Sequence, residues 1–357
     1  MFMIRRPQQV PKPTTGTKQK VKSLLVKCYS TCKAKSKEVK IGIIGIPFRH
    51  GQPKDGVQNG PDHIRKTGLI EALKEIPGVK DVKDYGNMCE KIPQKDLSLE
   101  ERRKHVIDCN KLLSEKVCEV ISDGRIVVNL GGDHSIATGS IYGHHLAKED
   151  QDVAVVWIDA HADINTHKSS DSGNMHGMPM SHLLKELRND KELWPGVLPG
   201  MEWCKPCISS KRLGYMGLRS VDHYERLFID KFHIPHYDMY RLDRVGALTA
   251  VHELLYQIDP GNKNSIHISF DIDALDPLEA PTTGTPVRGG MTIREAVVVM
   301  EELYKTGRVD VIDLVEVNPA LGNEKEAQVT SMAARQIIET ACGANRRGTY
   351  PVEKEKD

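Results

Sequence analysis

The chain has 357 residues, a formal net charge of +1, and 39% hydrophobic against 28% charged residues. A balance so close to neutral excludes an overall electrostatic bias toward nucleic acid, and the length suffices to bury a large core. No apolar run reaches the length of a membrane span. The composition is that of one intracellular enzyme domain.

Residues 1–39 differ in kind from the rest. Arg5, Arg6, Lys12, Lys18, Lys20, Lys22, Lys27, Lys33, Lys35 and Lys37 face only Glu38, with several Ser and Thr and little periodicity before Val21. Such a segment is either a mitochondrial transit peptide, addressing the protein to the matrix, or a disordered tail on a cytoplasmic one. A catalytic domain is expected over 40–348, with a short tail over 349–357.

Strands are expected near Ile41, over 125–130 and 153–158, near Leu213, and over 265–270 and 310–315. They are short and rich in Val and Ile, as strands buried on both faces should be. Helical patterns over 102–121, 245–258, 294–304 and 327–342 alternate with them. The alternation predicts an α/β fold of three α-β-α layers around a central, mostly parallel sheet in a single domain.

Some local motifs are decoys. Gly42-Ile43-Ile44-Gly45 follows a strand but lacks the third glycine and the spacing of a dinucleotide fingerprint, which disfavours a nicotinamide enzyme. No nucleophilic serine elbow or phosphate loop is present. Trp203-Cys204-Lys205-Pro206-Cys207 has the spacing of a thioredoxin-like motif. It follows Pro199-Gly200 in a loop before a strand instead of opening a helix, so chance spacing is the better reading. Cys28 and Cys32 form no recognisable zinc site, and an intracellular setting keeps all eight cysteines mostly reduced.

Four segments carry the chemistry, each at the end of an apolar run: Gly131-Gly132-Asp133-His134-Ser135, Asp159-Ala160-His161-Ala162-Asp163, Ser269-Phe270-Asp271-Ile272-Asp273 and Leu314-Val315-Glu316-Val317-Asn318-Pro319. Asp133 alone reads as a helix cap. Three ionisable side chains at alternating positions after a core strand do not read as a solvated turn, because buried acids need pairing or coordination. Asp271 and Asp273 repeat the arrangement on another strand. The four segments therefore converge at one sheet edge, where open α/β sheets place ligands.

The donors identify the cation class. His134 and His161 supply imidazole nitrogen, while Asp159, Asp163, Asp271 and Asp273 supply hard oxygen, with no thiolate among them. This suits a pair of manganese ions, and cobalt, iron and zinc fit the same donors. Four aspartates balance two divalent ions, and Glu316 with a bridging hydroxide leaves the site negative, which favours a cationic substrate.

These segments, in this order, resemble the signatures of the ureohydrolases, and within that superfamily the chain looks like an arginase. The resemblance runs from about Ile41 to about Arg347. It includes Gly51-Gln52-Pro53, Ser172-Gly173-Asn174-Met175-His176-Gly177 and Thr283-Gly284-Thr285-Pro286. It implies the arginase/deacetylase-like fold and the hydrolysis of L-arginine to L-ornithine and urea, with two Mn2+ per subunit. His134, Asp159, Asp163 and Asp271 would hold one ion and His161, Asp159, Asp271 and Asp273 the other, with a bridging hydroxide as nucleophile.

The resemblance also implies the remaining roles. Glu316 would pair with the guanidinium and fix its carbon, Asp163 would pass a proton to the leaving amine, and His176 would shuttle protons. Thr285 would orient the substrate nitrogens. Asn165, Ser170 and Ser172 would grip the α-carboxylate, and Asp222 the α-ammonium. Arginases usually carry aspartate where this chain has Ser220, and many carry threonine where it has Ser170. Asp171 adds a negative charge to the carboxylate loop and is expected to point into solvent. The family assembles as homotrimers, with Arg347 where an intersubunit salt bridge forms. Two other readings are an agmatinase or other guanidino-compound ureohydrolase, which would not need the carboxylate grip, and a non-catalytic metal-binding scaffold, which would be expected to have lost ligands.

Overall fold

Short β-branched runs separated by amphipathic helices can bury both faces of a strand only in a parallel sheet with helices above and below. The computed structural model has that arrangement. It describes residues 38–89, 97–148, 151–346 and 348. The basic segment up to Lys37, the C-terminal tail and Arg347 lie outside the described residues, so the expectations placed on them are not addressed by the fold.

Eight strands form one sheet: β1 (Val39–Ile46), β2 (Val79–Asn87), β3 (Arg125–Gly131), β4 (Val153–Ile158), β5 (Leu213–Met216), β6 (His236–Tyr237), β7 (Ser265–Asp271) and β8 (Val309–Val315). Their order is β2-β1-β3-β8-β7-β4-β5-β6, and every ladder is parallel. Each expected strand is present. Two edge strands were not expected from the sequence. β2 is rich in charge and mostly solvated, so its apolar period is weak, and β6 has only two residues.

Alternate residues of the central strands feed opposite cores. Val128, Leu130, Val156 and Ile158 pack beneath the helices Ala247–Ile258, Ile293–Lys305 and Glu324–Ala341. Val127, Val155 and Trp157 pack against Leu99–Ser122 and Ala137–Ala147. The helix expected over 245–258 is present as Ala247–Ile258, and a separate short helix that was not expected, Met239–Val245, precedes it. Gly246, at φ +77°, breaks the run between them in a conformation that side chains resist.

The four motif-bearing strands are neighbours in the sheet, in the order β3-β8-β7-β4. Their register pairs Leu130 with Leu314, Phe270 with Leu314, and Ile158 with Phe270. The residues that follow, Gly131, Val315, Asp271 and Asp159, therefore end at one level, so the loops after them open side by side.

Within the sheet runs a fully buried polar row. Asn129 and Ser140 donate to Asp313 Oδ1 at 2.8 and 2.6 Å, and His267 Nε2 lies 2.8 Å from Asp313 Oδ2. His144 continues the row, with Nδ1 3.2 Å from His267 Nδ1 and Nε2 2.7 Å from Ser265 Oγ.

Candidate metal centre

The loop after β3 is built by Asp133, which is buried. Its carboxylate accepts from Ser135 N–H at 3.0 Å, capping the turn His134–Ile136, and from Gly51 N–H at 2.7 Å. The expected cap is thus present, and it also draws the Gly51-Gln52-Pro53 segment to the site. Burial, then the charge of Glu316, lifts the Asp133 carboxyl to about 6.

His134 is fully buried and stacks on Trp157 with ring centroids 4.1 Å apart. Its Nδ1 lies 3.2 Å from Asp159 Oδ2, 3.1 Å from Asp163 Oδ2 and 3.2 Å from Asp271 Oδ2, yet makes no well-formed hydrogen bond. Its Nε2 lies 2.9 Å from Ser269 Oγ, and that hydroxyl donates to Asp313. Ser269 must therefore accept from Nε2–H, which leaves the Nδ1 lone pair aimed into three carboxylates. Burial disfavours charge on this ring, but Asp159, Asp163 and Asp271 outweigh it and hold its proton well above the usual imidazole range. A divalent cation would replace that proton and keep the attraction.

A second cluster adjoins the first. His161 Nδ1 lies 3.4 Å from Asp159 Oδ1 and 3.2 Å from Asp273 Oδ2. Burial opposes charge here too, but Asp273 and Asp159 prevail and lift the ring to about 12. Two donor groups are close enough to hold a cation, His134 with Asp159 and Asp163, and Asp159 with His161 and Asp273; Asp159 belongs to both. Asp271 completes the cluster, its Oδ1 accepting from Asp273 N–H at 2.8 Å. All six expected ligands thus meet at one place, and the orphaned imidazole nitrogen among hard oxygens fits divalent cations.

Two residues adopt left-handed backbone to reach the cluster, Asp163 at φ +49° and Glu316 at φ +63°. Such angles are uncommon outside glycine and gather at functional sites. Burial, then the neighbouring Asp159, lifts the Asp163 carboxyl to about 6. Glu316 Oε1 accepts from His134 N–H at 2.9 Å and lies 3.2 Å from His176 Nδ1. Burial works against charge on His176, but Glu316, Asp163 and Asp133 outweigh it and lift the ring to about 9.

The expected substrate residues divide. Thr285 donates its hydroxyl to Asp273 Oδ2 at 2.9 Å, which leaves only its lone pairs for a substrate N–H. Asn165 and Asp222 are partners, the amide donating at 2.9 Å, while Asn165 Oδ1 accepts from Ser169. Ser170 and Ser172 lie 3.5 Å apart and accept from Gly173 and Asn174 N–H, so they shape the turn before His176. Asp171 is exposed, as expected. Ser220 is half-buried, and its N–H donates to Ala160 O.

Some residues of the site could not be found from the sequence. Glu225 is buried and accepts from Asp222 N–H and Ile164 N–H, tying the helix His223–Lys231 to the ligand loop. Burial, then Asp163, lifts its carboxyl to about 8. Lys54 donates to the carbonyl of Gly284, beside Glu316. Asp222 and Glu225 have the local spacing of a capping box, but the bonds of Glu225 to Ile164 and of Lys54 to Gly284 join segments far apart in sequence, which no local pattern marks.

Cys204 and Cys207 are buried away from this centre. Burial pushes the Cys204 thiol well up and that of Cys207 to about 12, the reverse of a reactive redox pair. The described cysteines form no disulfide among themselves. No helix among the described residues is long and apolar enough to cross a membrane.

Comparison with known proteins agrees with this geometry. The Arginase family profile matches residues 39–343. Human Arginase-1 is 44% identical over 313 residues, covering 87% of this chain and 95% of the relative. Human mitochondrial Arginase-2 is 42% identical over 316 residues, covering 87% of each. The crystal structure of Entamoeba histolytica arginase in complex with L-ornithine superposes with a TM-score of 0.76 at 31% identity, over 87% of this chain and all of that one.

Proposed function

The chain belongs to the arginase family, and on that premise we infer that it hydrolyses L-arginine to L-ornithine and urea at a pair of divalent cations. One observation carries this reading. The two oxygens of Asp159 face different imidazoles, Oδ2 at 3.2 Å from His134 and Oδ1 at 3.4 Å from His161. A buried carboxylate split in this way suits a bridge between two ions.

His134, Asp159, Asp163 and Asp271 would hold one ion, and His161, Asp159, Asp271 and Asp273 the other, with manganese as the occupant that imidazole and hard oxygen favour. When bound, two such ions supply a strong nucleophile at neutral pH by lowering the pKa of water from about 15.7 to about 7.

The chain's own groups do the rest. Glu316 offers a buried carboxylate to the planar guanidinium and orients its carbon. Asp163, left-handed and pointed into the cluster, takes a proton and passes it to the leaving nitrogen. His176, hydrogen-bonded to Glu316 and partly open to solvent, exchanges protons with water. Asn165, Ser170 and Ser172 hold the amino-acid carboxylate, and Asp222 the ammonium. The resemblance supports a homotrimer, in the cytoplasm or the mitochondrial matrix.

Urea release from L-arginine and from agmatine by manganese-loaded protein, with a chelated control, tests this reading. Chelator-sensitive turnover of arginine alone is expected. Preference for agmatine would move the chain to a sister specificity, and turnover of neither would overturn the enzymatic reading.

A further inference from the structure

Arg219 spends every donor it has on backbone. Its Nε and Nη2 donate to Val287 O at 3.1 and 2.7 Å, its Nη1 to Gly217 O and Ala274 O at 3.2 Å each, and its Nη2 also to Asp273 O at 2.6 Å and Leu275 O at 3.2 Å. A guanidinium has five N–H groups in a fixed fork, and here all face carbonyls although several aspartates are close. The main chain at the same residue adds a further tie, because Arg219 N–H and Ser220 N–H both donate to Ala160 O at 2.9 Å.

The segments that meet on this one residue carry the ligands of one ion position. Ala160 lies between Asp159 and His161, and its N–H donates to Asp273 Oδ1 at 3.2 Å. The carbonyls of residues 273–275 are those of the Asp273 loop, and Val287 lies two residues beyond Thr285, which donates to Asp273 Oδ2. The other position shares Asp159 and Asp271 with this one, but its remaining ligands have anchors that Arg219 does not touch. His134 is fixed by Ser269 and Glu316, and the backbone carbonyl of Asp163 accepts from Met180 N–H.

We propose that Arg219 is the positioning residue of the Asp159–His161–Asp273 ion site, setting two ligand loops at one spacing so that this position depends on it more strongly than the His134 position does. The proposal rests on the binuclear reading given above. Because Arg219 bonds carbonyls, it takes up no carboxylate oxygen of the ion-facing aspartates. Lysine cannot substitute, since one ammonium cannot span five carbonyls.

The test is a calorimetric titration of metal-free protein with Mn2+, alongside the spin-coupled signal of paired Mn2+. Wild type, Arg219→Lys and the control Arg212→Lys are compared; Arg212 is half-buried and bonds Ile258 O at 2.8 Å elsewhere in the fold. In Arg219→Lys, one Mn2+ should bind with affinity close to wild type and the second 10–100-fold more weakly. The paired signal should disappear at stoichiometric metal. Arg219→Ala should show the same loss, and added guanidinium ion should restore the second site. That rescue is a response a purely structural defect would not give. Unchanged affinity for both ions, or equal weakening of both, would overturn the proposal. Wild-type protein that takes up no Mn2+ would overturn the binuclear reading itself, and with it this inference.

Discussion

The Nδ1 of His176 lies 3.2 Å from Oε1 of Glu316, and the same oxygen takes the N–H of His134 at 2.9 Å. One carboxylate thus joins the imidazole proposed to exchange protons to the loop that carries His134, while its other oxygen faces Gly284 across the site. Glu316→Gln keeps an acceptor for both contacts but removes the charge that a guanidinium seeks. Its kcat/KM for arginine should fall by about 10²–10³-fold, the loss of about 3–4 kcal/mol expected for one partner of a buried charged pair. Steady-state urea release measures it, and unchanged kcat/KM would show that the guanidinium docks elsewhere.

Ser220 follows Arg219 on the loop whose backbone braces Ala160, and Asp222 beyond it is held by Asn165. An added carboxylate at this position should strengthen the hold on the substrate ammonium. Ser220→Asp is expected to lower KM for arginine several-fold, roughly 1 kcal/mol, with kcat unchanged. Unchanged or higher KM counts against an ammonium site here.

Removing metal should destabilise the fold. Cations bound at about 100 times Kd add about 2.7 kcal/mol per site. Chelated protein should therefore melt roughly 5–10 °C below the manganese-loaded form. Differential scanning calorimetry with metal removed and restored reads this, and equal melting temperatures would mean that the aspartates hold no ion.

His182 is buried, and its Nε2 has no hydrogen-bond partner. Burial, then His167 and Arg188, depresses its pKa from 6.5 to about 4. Between these values the unfolded chain binds a proton that the folded protein refuses. Stability should therefore fall as pH drops from 6.5 to about 4 and level off below, a loss on the order of 3 kcal/mol. His182→Met should flatten that part of the melting-temperature profile, and an unaltered slope would assign the acid sensitivity to other groups.

Cys204 and Cys207 should resist alkylation in the folded protein at mildly alkaline pH, because both are buried and both thiols hold their protons. Half-exposed Cys118 should react before either of them. Mass spectrometry after iodoacetamide treatment locates the label, and early modification of Cys204 or Cys207 would revive a redox role for the pair.

The clustering of the six candidate ligands was legible because buried acids and imidazoles need pairing or coordination. Carboxylates and imidazoles directly after Val- and Ile-rich strands have no bland explanation, and parallel order brings such strand ends together. The ties that Arg219, Glu225 and Lys54 make to the loops of residues 273–287, to Ile164 and to Gly284 were not legible, because they join segments far apart in sequence. Nor could the left-handed turns at Asp163 and Glu316 be read from residues that normally avoid them. β2 and β6 escaped for a different reason: edge strands bury too little to leave a period.

The buried polar row through Asn129, Asp313, His267 and His144 has a consequence for how the sheet is assembled. β3, β7 and β8 are otherwise interchangeable ribbons of aliphatic side chains, and parallel pairings form slowly. A slip by one residue would turn each polar side chain to the opposite face and leave Asp313 charged among hydrocarbons, at about 3–5 kcal/mol. The row acts as a key cut into the core, admitting one alignment of strands. That alignment is the one in which the four loop origins finish level.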